Sequence, residues 1–364
     1  MKIALVGYEA NIKNRVGSNQ YAFELIKAIY QLDKKNQYTI YLPTPPLSDL
    51  PKERKNWQYR LVGPRKLWNI FGLPRALFQQ KPDLVFNPGH YSPLFSFAPL
   101  VVSIMDLGYL RFPEQFTKPI YWKLKFWTGL SIKRARHIFA ISKSTKNDII
   151  ENYRVSPDRI TVTYPGYDKD RFKVQGSGFK ADKIKKKYKI KGDYILFLST
   201  LKPNKNVEGL LTAFKLVGRK NLRLVIAGRK GWLFKTIFAK VKELGLEDKV
   251  IFTGFVAEED VPTLMREAEA FILPSFWEGF GIPVIEAMAC GTPVVVSNAG
   301  SLPEVVDKVG IVVDPYQPKE IAQGIEKAIK NKEILIKKGL KQAEKFSWQE
   351  CARKTIKVLE RIKD

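Results

Sequence analysis

The feature that most constrains this chain is an alternation that occurs in two sets. Short runs rich in Val, Ile and Leu alternate with segments of helical period, which is the pattern of parallel strands covered by helices. The first half carries seven such runs, KIALVGY, YTIYLP, YRLVG, DLVFNP, LVVSIMD, HIFAIS and ITVTYPG. The second carries six, YILFLST, LRLVIAG, KVIFTGF, AFILPS, PVVVSN and GIVVDP. Each set is large enough for its own doubly wound sheet. Between them DKDRFKVQGSGFKADKIKKKYKIKGD is polar and lysine-rich, with Gly176, Ser177 and Gly178 in succession, which predicts a linker followed by a short helix. A length of 364 residues exceeds one ordinary core, and a hydrophobic fraction of 45% supports two. The expectation is an α/β protein of two Rossmann-like domains facing across a cleft.

Charge narrows the partners. The chain carries 62 Lys and Arg against 36 Asp and Glu, a net +26, which calls for an anionic partner or surface without naming it. Two stretches lack acids altogether, from Arg65 to Pro82 and from Gln115 to Asn147, and both mix cations with Trp, Phe and Leu. Such a mixture suits an anionic lipid interface; it equally suits a helix with a core-facing aromatic stripe and a solvated basic face. Nucleic acid is the other anion to weigh, and no nucleic-acid-binding module is visible. Cys290 and Cys351 have no metal-ligand spacing and suggest a reducing setting. No apolar run reaches the roughly 18 residues that span a bilayer, and too few apolar residues precede Glu9 for a signal-peptide core. The expected location is cytoplasmic, at most peripheral on a membrane face.

In open α/β sheets ligands bind beyond the carboxyl ends of the strands, so the chemistry belongs in the strand-to-helix loops. The most informative is PSFWEGFGIPVIEAMACGTPVVVSN, from Pro274 to Asn298. AFILPS ends a strand, Pro283 suits the first turn of a helix, and Gly291 ends it. The backbone N–H groups of Phe280, Gly281 and Ile282 then stand at a helix N-terminus, where a phosphate or sugar oxygen is favoured. Glu286, one turn into the helix, can accept from ribose hydroxyls, and Glu278 from the hydroxyls of a sugar beyond the phosphates. Taken alone, the two acids would serve equally as favourable charges near a helix start, about 0.3–1 kcal/mol each.

PSFWEGFGIPVIEAMACGTPVVVSNAGSLPEVV closely resembles the Glu-x7-Glu signature of the family 4 retaining glycosyltransferases of GT-B fold, mannosyltransferase-like members especially, and the resemblance extends over nearly the whole chain. It implies that Glu278 contacts the donor sugar, Phe280, Gly281 and Ile282 the sugar and phosphates, and Glu286 the ribose. STLKPNKNVEGLLTAF resembles the family's diphosphate loop, with Lys205 matching its lysine. Asn204 and Thr200 stand where arginines are common, which shifts phosphate binding toward Lys205 and Arg229. The resemblance further implies base contacts near Phe255 and Val256, and a glycine loop at Gly17 and Ser18 approaching the donor phosphates or the acceptor. VVSIMDLGYLRFPE matches a stretch that often reads His-Asp; here Met105 replaces the histidine, and Asp106 is retained as a cleft residue with a catalytic role alongside Glu278 and Lys205. His90 and Tyr91 are acceptor-side candidates, although a lone loop histidine is more often structural. FSWQECARKTIKVLERI resembles a C-terminal helix that crosses back to the first domain.

The implied domains are an acceptor-side domain over 1–172, a linker over 173–192, a nucleotide-sugar-binding domain over 193–346, and a returning helix over 347–364. The implied activity is transfer of a mannose- or glucose-type sugar from a nucleoside diphosphate sugar to a hydroxyl of a glycan or lipid-linked glycan, with retention and without a metal or other cofactor. A sugar-nucleotide epimerase or hydrolase on the same fold, and a binder of nucleotide sugar or nucleic acid without turnover, are the rival readings.

Overall fold

A computed structural model describes residues 1–15, 17–172 and 178–362, with side chains left aside at 178–180. Residues 173–177 of the expected linker lie outside the described residues; the expected short helix spans Gly178–Lys187. The chain forms two compact units, Met1–Gly166 with Ser347–Asp364, and Tyr167–Phe346.

All thirteen apolar runs lie on strands. In the first unit these are β1 (Lys2–Val6), β2 (Gln37–Leu42), β3 (Trp57–Leu61), β4 (Leu84–Asn87), β5 (Leu100–Ile104), β6 (His137–Ala140) and β7 (Ile160–Val162). They form one sheet in the order β3-β2-β1-β4-β5-β6-β7, and each pairing is parallel. In the second unit β8 (Asp193–Leu198), β9 (Leu222–Ala227), β10 (Val250–Gly254), β11 (Ala270–Leu273), β12 (Val294–Ser297) and β13 (Ile311–Val313) form a parallel sheet in the order β10-β9-β8-β11-β12-β13. Burial on both faces explains the near-continuous apolar composition, as in Leu84–Asn87 and Ala270–Leu273, where every residue is buried.

Both sheets reverse winding direction once. Connections run outward from β1 in one direction and from β4 in the other, and the same holds for β8 and β11. The loops after β1 and β4, and after β8 and β11, therefore flank topological switch points, where α/β sheets leave a crevice. The helix Trp348–Arg361 completes the first unit. Trp348 packs edge-on against Tyr21 of the helix Ser18–Leu32 at 5.7 Å, and Cys351 Sγ approaches the Thr163 carbonyl. Gly166 is obligatory there, because a Cβ would overlap the backbone of Ser347 and Trp348.

Candidate active-site loops

In the second unit the switch point joins two of the residues singled out by sequence. Lys205, after β8, and Glu278, after β11, meet as an ion pair with Nζ to Oε1 at 2.6 Å, their side chains only 15% and 12% exposed. Ser275 Oγ donates to the same carboxylate oxygen at 2.8 Å. The Glu278 backbone is fixed from the β12 loop, where Ser301 N and Oγ both donate to its carbonyl at 3.1 Å. Gly300 has φ +61°, and a Cβ there would stand 2.9 Å from Glu278 N and closer still to its carbonyl oxygen. The position thus requires glycine for both conformation and space.

Lys205 is held just as firmly. It ends a short 3-10 turn, and the next residue, Asn206, adopts a left-handed conformation at φ 53°. The buried Asn206 amide donates to the carbonyls of Pro274 and Pro315 at 3.1 and 2.7 Å, while Phe276 N donates to the Asn204 carbonyl at 2.9 Å. Phe276 stacks on Tyr316 at 4.9 Å. Three strand-end loops are thereby tied into one surface. Asn206 tolerates the left-handed region better than most residues, which accounts for its presence.

The helix Ile282–Ala289 follows, with Gly281 at φ 90° before it and Pro283 in its first turn. The Phe280 ring is buried against Phe346, so only its backbone is available for a ligand role. Glu286 lies half-buried on the second turn. Burial, and then its negative charge, push the Cys290 thiol up to about 12, so this cysteine is an inert core residue. Thr200 lies two residues beyond β8, and Arg229 and Phe255 follow β9 and β10. Phe255 is exposed and carries the Arg229 guanidinium over its ring at 4.3 Å, whereas Val256 is buried.

The first unit gathers a separate group at its own carboxyl edge. Gly17, at φ 56°, precedes Ser18 and the helix Ser18–Leu32, with open space where its Cβ would be. Asp106 follows β5, and its carboxylate accepts from Gly108 N at 3.0 Å. Met105 is buried, and its backbone N donates to His90 Nε2 at 3.2 Å. The other ring nitrogen, Nδ1, is then the protonated one and faces Thr128 Oγ1 at 3.4 Å. An imidazole is therefore present beside position 105, contributed from the loop after β4, with both nitrogens engaged. Burial lowers its pKa against the opposing charge of Asp106, so it stays neutral. Tyr91 adjoins it and lies beneath the Lys123 ammonium, 5.3 Å from the ring.

Ser275, Gly300 and Ser301 carry no signal in the sequence, because their role lies in contact with Glu278, 3 to 23 positions away in the chain. Asn206 stands within the diphosphate-loop stretch, but its role appears only through its bonds to the Pro274 and Pro315 carbonyls. Glu9, at the first switch point, is a further member of this group; it accepts from the Asn19 amide and lies against Gly89. Burial holds the Glu9 carboxyl above its ordinary pKa, opposed by the charge of Lys123 and the Asn19 bond. Its one sequence signal is an acid in the loop directly after the first strand.

Two family models match the chain, Glycosyltransferase Family 4 over residues 16–171 and Glycosyl transferases group 1 over residues 180–347. An O-antigen chain mannosyltransferase B from Escherichia coli is 32% identical over 306 residues, covering 82% of this chain and 78% of that protein. The O-antigen chain mannosyltransferase RfbU of Salmonella typhimurium is 30% identical over 234 residues, 64% of this chain and 61% of the other. Among solved structures, Anabaena Alr3699/HepE in complex with UDP and glucose matches with a TM-score of 0.78 at 20% identity, covering 99% of each chain. WaaG, a glycosyltransferase involved in lipopolysaccharide biosynthesis, matches at 0.74 and 17% identity over 98% of this chain and 99% of that one. At those identities the two structures speak for the fold.

Proposed function

Because this chain belongs to the family 4 glycosyltransferases of GT-B fold, we propose that it transfers a hexose, with mannose the first candidate, from a nucleoside diphosphate sugar to a hydroxyl of a glycan or lipid-linked glycan, with retention at the anomeric carbon. The observation that carries this reading is the Lys205–Glu278 pair at the second switch point, backed by Glu286 on the adjacent helix. Its loops supply what the reaction needs: a cation and a helix N-terminus for the diphosphate, one acid for the sugar, another for the ribose. The curated relatives named as mannosyltransferases favour mannose; the solved relative with UDP and glucose keeps UDP-glucose as an alternative donor.

In this reading Lys205, Arg229 and the N–H groups at Gly281 and Ile282 stabilise the diphosphate more as it departs than in the ground state. No metal or other cofactor is assigned a role. The acceptor oxygen forms its bond to the anomeric carbon on the face from which the diphosphate leaves, the bond to the diphosphate oxygen breaks, and the acceptor proton passes to a phosphate oxygen. Asp106 and the Gly17–Ser18 turn serve the sugar and acceptor side, with His90 holding the Met105–Asp106 backbone and Tyr91 beside it. We place it in the cytoplasm, at most peripheral on the cytoplasmic membrane face.

Calorimetric titration with GDP-, UDP-, ADP- and dTDP-sugars tests the proposal. One donor binds the wild type, and Glu286→Ala weakens it at least tenfold, about 1.4 kcal/mol. If none binds, or the variant binds as tightly, the donor assignment fails. A second reading, a donor binder without turnover, rests on buried Met105 in place of histidine. It predicts donor binding with neither transfer nor donor hydrolysis, and a gain of turnover in Met105→His.

A further inference from the structure

The two acid-free stretches, 65–82 and 115–147, are distant in sequence and adjacent in the fold. The first forms a π-helical turn Trp68–Gly72 continuing into the helix Leu73–Gln80, and the second contains the helix Lys118–Arg134. Both helices connect strands that advance toward β7, so right-handed crossovers put them on one face of the sheet. Their inner residues, Leu73 and Leu77 from one and Ile132 from the other, share one core cluster.

The loop between β4 and β5 stitches the helices together. Leu94 N donates to the Asn69 carbonyl at 2.7 Å, the Phe97 ring meets Phe78 at 5.4 Å, and Arg134 stands over Phe95 at 5.7 Å. The outward side of this layer is apolar to an unusual degree. Leu67 before the π-helical turn, Phe71 within it and Phe78 on the helix that follows are all exposed, as are Trp122 and Phe126 one turn apart on the second helix. Between them Phe95 is exposed, and Phe97 protrudes with 86% of its surface in solvent. Phe78 with Phe97 and Phe95 with Arg134 are in direct contact, and Trp122 and Phe126 are exposed on a helix of the same side of the sheet; exposed aromatics gathered on one side mark an interaction surface.

Charge then selects the occupant. Arg75 lies between Phe71 and Phe78, and Lys123, Lys125, Lys133 and Arg134 line the second helix. Beneath Phe97 opens a cavity of about 500 Å³ lined by Arg134, Arg136 and Arg159. A second copy of this face would bring like charges together. A polyanion without an apolar phase would leave the protruding rings in water. We propose that this face docks on an anionic lipid bilayer, with Phe78, Phe95, Phe97, Trp122 and Phe126 entering the headgroup layer and the arginine-lined cavity receiving a lipid phosphate. Cations at an anionic membrane contribute about 1 kcal/mol each and aromatic side chains bury their apolar area at the acyl boundary, so the two add on one surface. This inference does not depend on the sugar chemistry.

The test is co-sedimentation of the full chain with large vesicles of phosphatidylcholine containing 30% phosphatidylglycerol, against pure phosphatidylcholine, at low ionic strength. Binding is expected to the anionic vesicles only, with a blue shift of tryptophan fluorescence that Trp122→Ala diminishes. The pair Phe78→Ser with Phe97→Ser, and separately Arg134→Glu with Arg136→Glu, should each reduce partitioning at least tenfold while nucleotide-sugar binding stays at wild-type strength. Equal binding to both vesicle types, wild-type binding by both double variants, or no binding at all overturns the proposal. So does complete release by inorganic phosphate at matched ionic strength, which would make the cavity a site for free anions. Concentration-dependent dimerisation abolished by the Phe pair, or retention of an anionic oligonucleotide in preference to the vesicles, would assign the face to those partners instead.

Discussion

At the scale of single residues, the ion pair at the second switch point sets an expectation that separates its two members. Glu278 holds Lys205 at 2.6 Å, so a diphosphate binding to Lys205 competes with that carboxylate. A partly buried pair whose acid is neutralised without loss of shape leaves the lysine free for the incoming anion. Glu278→Gln is therefore expected to bind free nucleoside diphosphate about threefold to tenfold more tightly, while losing most sugar transfer. Titration with the diphosphate alone checks it; weaker binding would mean that Glu278 orients Lys205 rather than restraining it. The chain's two histidines make a second residue-level case. Burial, reinforced by Arg159 and Lys146, lowers His137 to about 4, and burial lowers His90 as well. An unfolded histidine titrates near 6.5, so below that pH the unfolded chain takes up protons that the folded chain refuses. The stability from neutral His137 is complete above pH 6.5 and is lost as pH falls toward 4. Allowing for solvent screening, this is about 1–2 kcal/mol between pH 7 and pH 5. Urea unfolding at those two pH values should show a smaller difference in His137→Gln than in the wild type; an unchanged difference removes His137 as the cause.

Elements position these residues, and Asn206 shows how. It touches no reacting atom in the proposed chemistry, yet its amide fixes the ends of β11 and β13 against the turn that carries Lys205. Asn206→Ala forfeits two hydrogen bonds to buried carbonyls and puts a Cβ residue without a local hydrogen bond in the left-handed region, a cost of about 2–4 kcal/mol. Diphosphate affinity should fall along with the urea midpoint, although Asn206 itself meets no phosphate. A stability loss with unchanged affinity would show that Lys205 is held by its own turn alone. The same element explains what the sequence could and could not convey. Thirteen strands were legible because parallel strands buried on both faces must be continuous apolar runs, as in LVVSI and AFIL. Glu278, Lys205 and Glu286 were legible through a motif confined to strand-end loops. Ser301, Asn206 and Glu9 were not, since each matters through a partner on the loop of another strand, and strand order is what brings those partners together; Ser275 meets Glu278 within one loop, through a backbone turn that the residue types alone do not specify. The same limit applied to the basic aromatic runs. From sequence each was equally a core-facing stripe and an exposed face; the fold uses each for both, with Trp68 and Tyr121 toward the core and Phe71, Phe78, Trp122 and Phe126 exposed, and the right-handed crossovers put the two helices on one side of the sheet.

For the whole molecule, the chain passes between its two compact units twice, near Gly166 and near Ser347, and the returning helix Trp348–Arg361 is structurally part of the unit that the chain left. Each unit has its own sheet and its own buried core, so cooperative unfolding is expected to follow units rather than chain order. Trp348 is 5% exposed and packs on Tyr21, and Met288 is 1% exposed on the helix Ile282–Ala289, beside Gly339. Replacing a buried Trp with Ala costs about 3–5 kcal/mol and a buried Met about 2–5. In calorimetry Trp348→Ala should lower one transition, on the order of 10 °C for a unit of this size, and leave the other in place. Met288→Ala should do the converse. A nucleoside diphosphate adds the decisive control, because a ligand raises only the transition of the unit that binds it. It should raise the Met288-sensitive transition and leave the Trp348-sensitive one unmoved, which would assign the C-terminal helix to the first unit and the diphosphate to the second in a single experiment. One transition that both variants lower equally would mean that the two cores melt together, and that the last helix stabilises the chain as a whole.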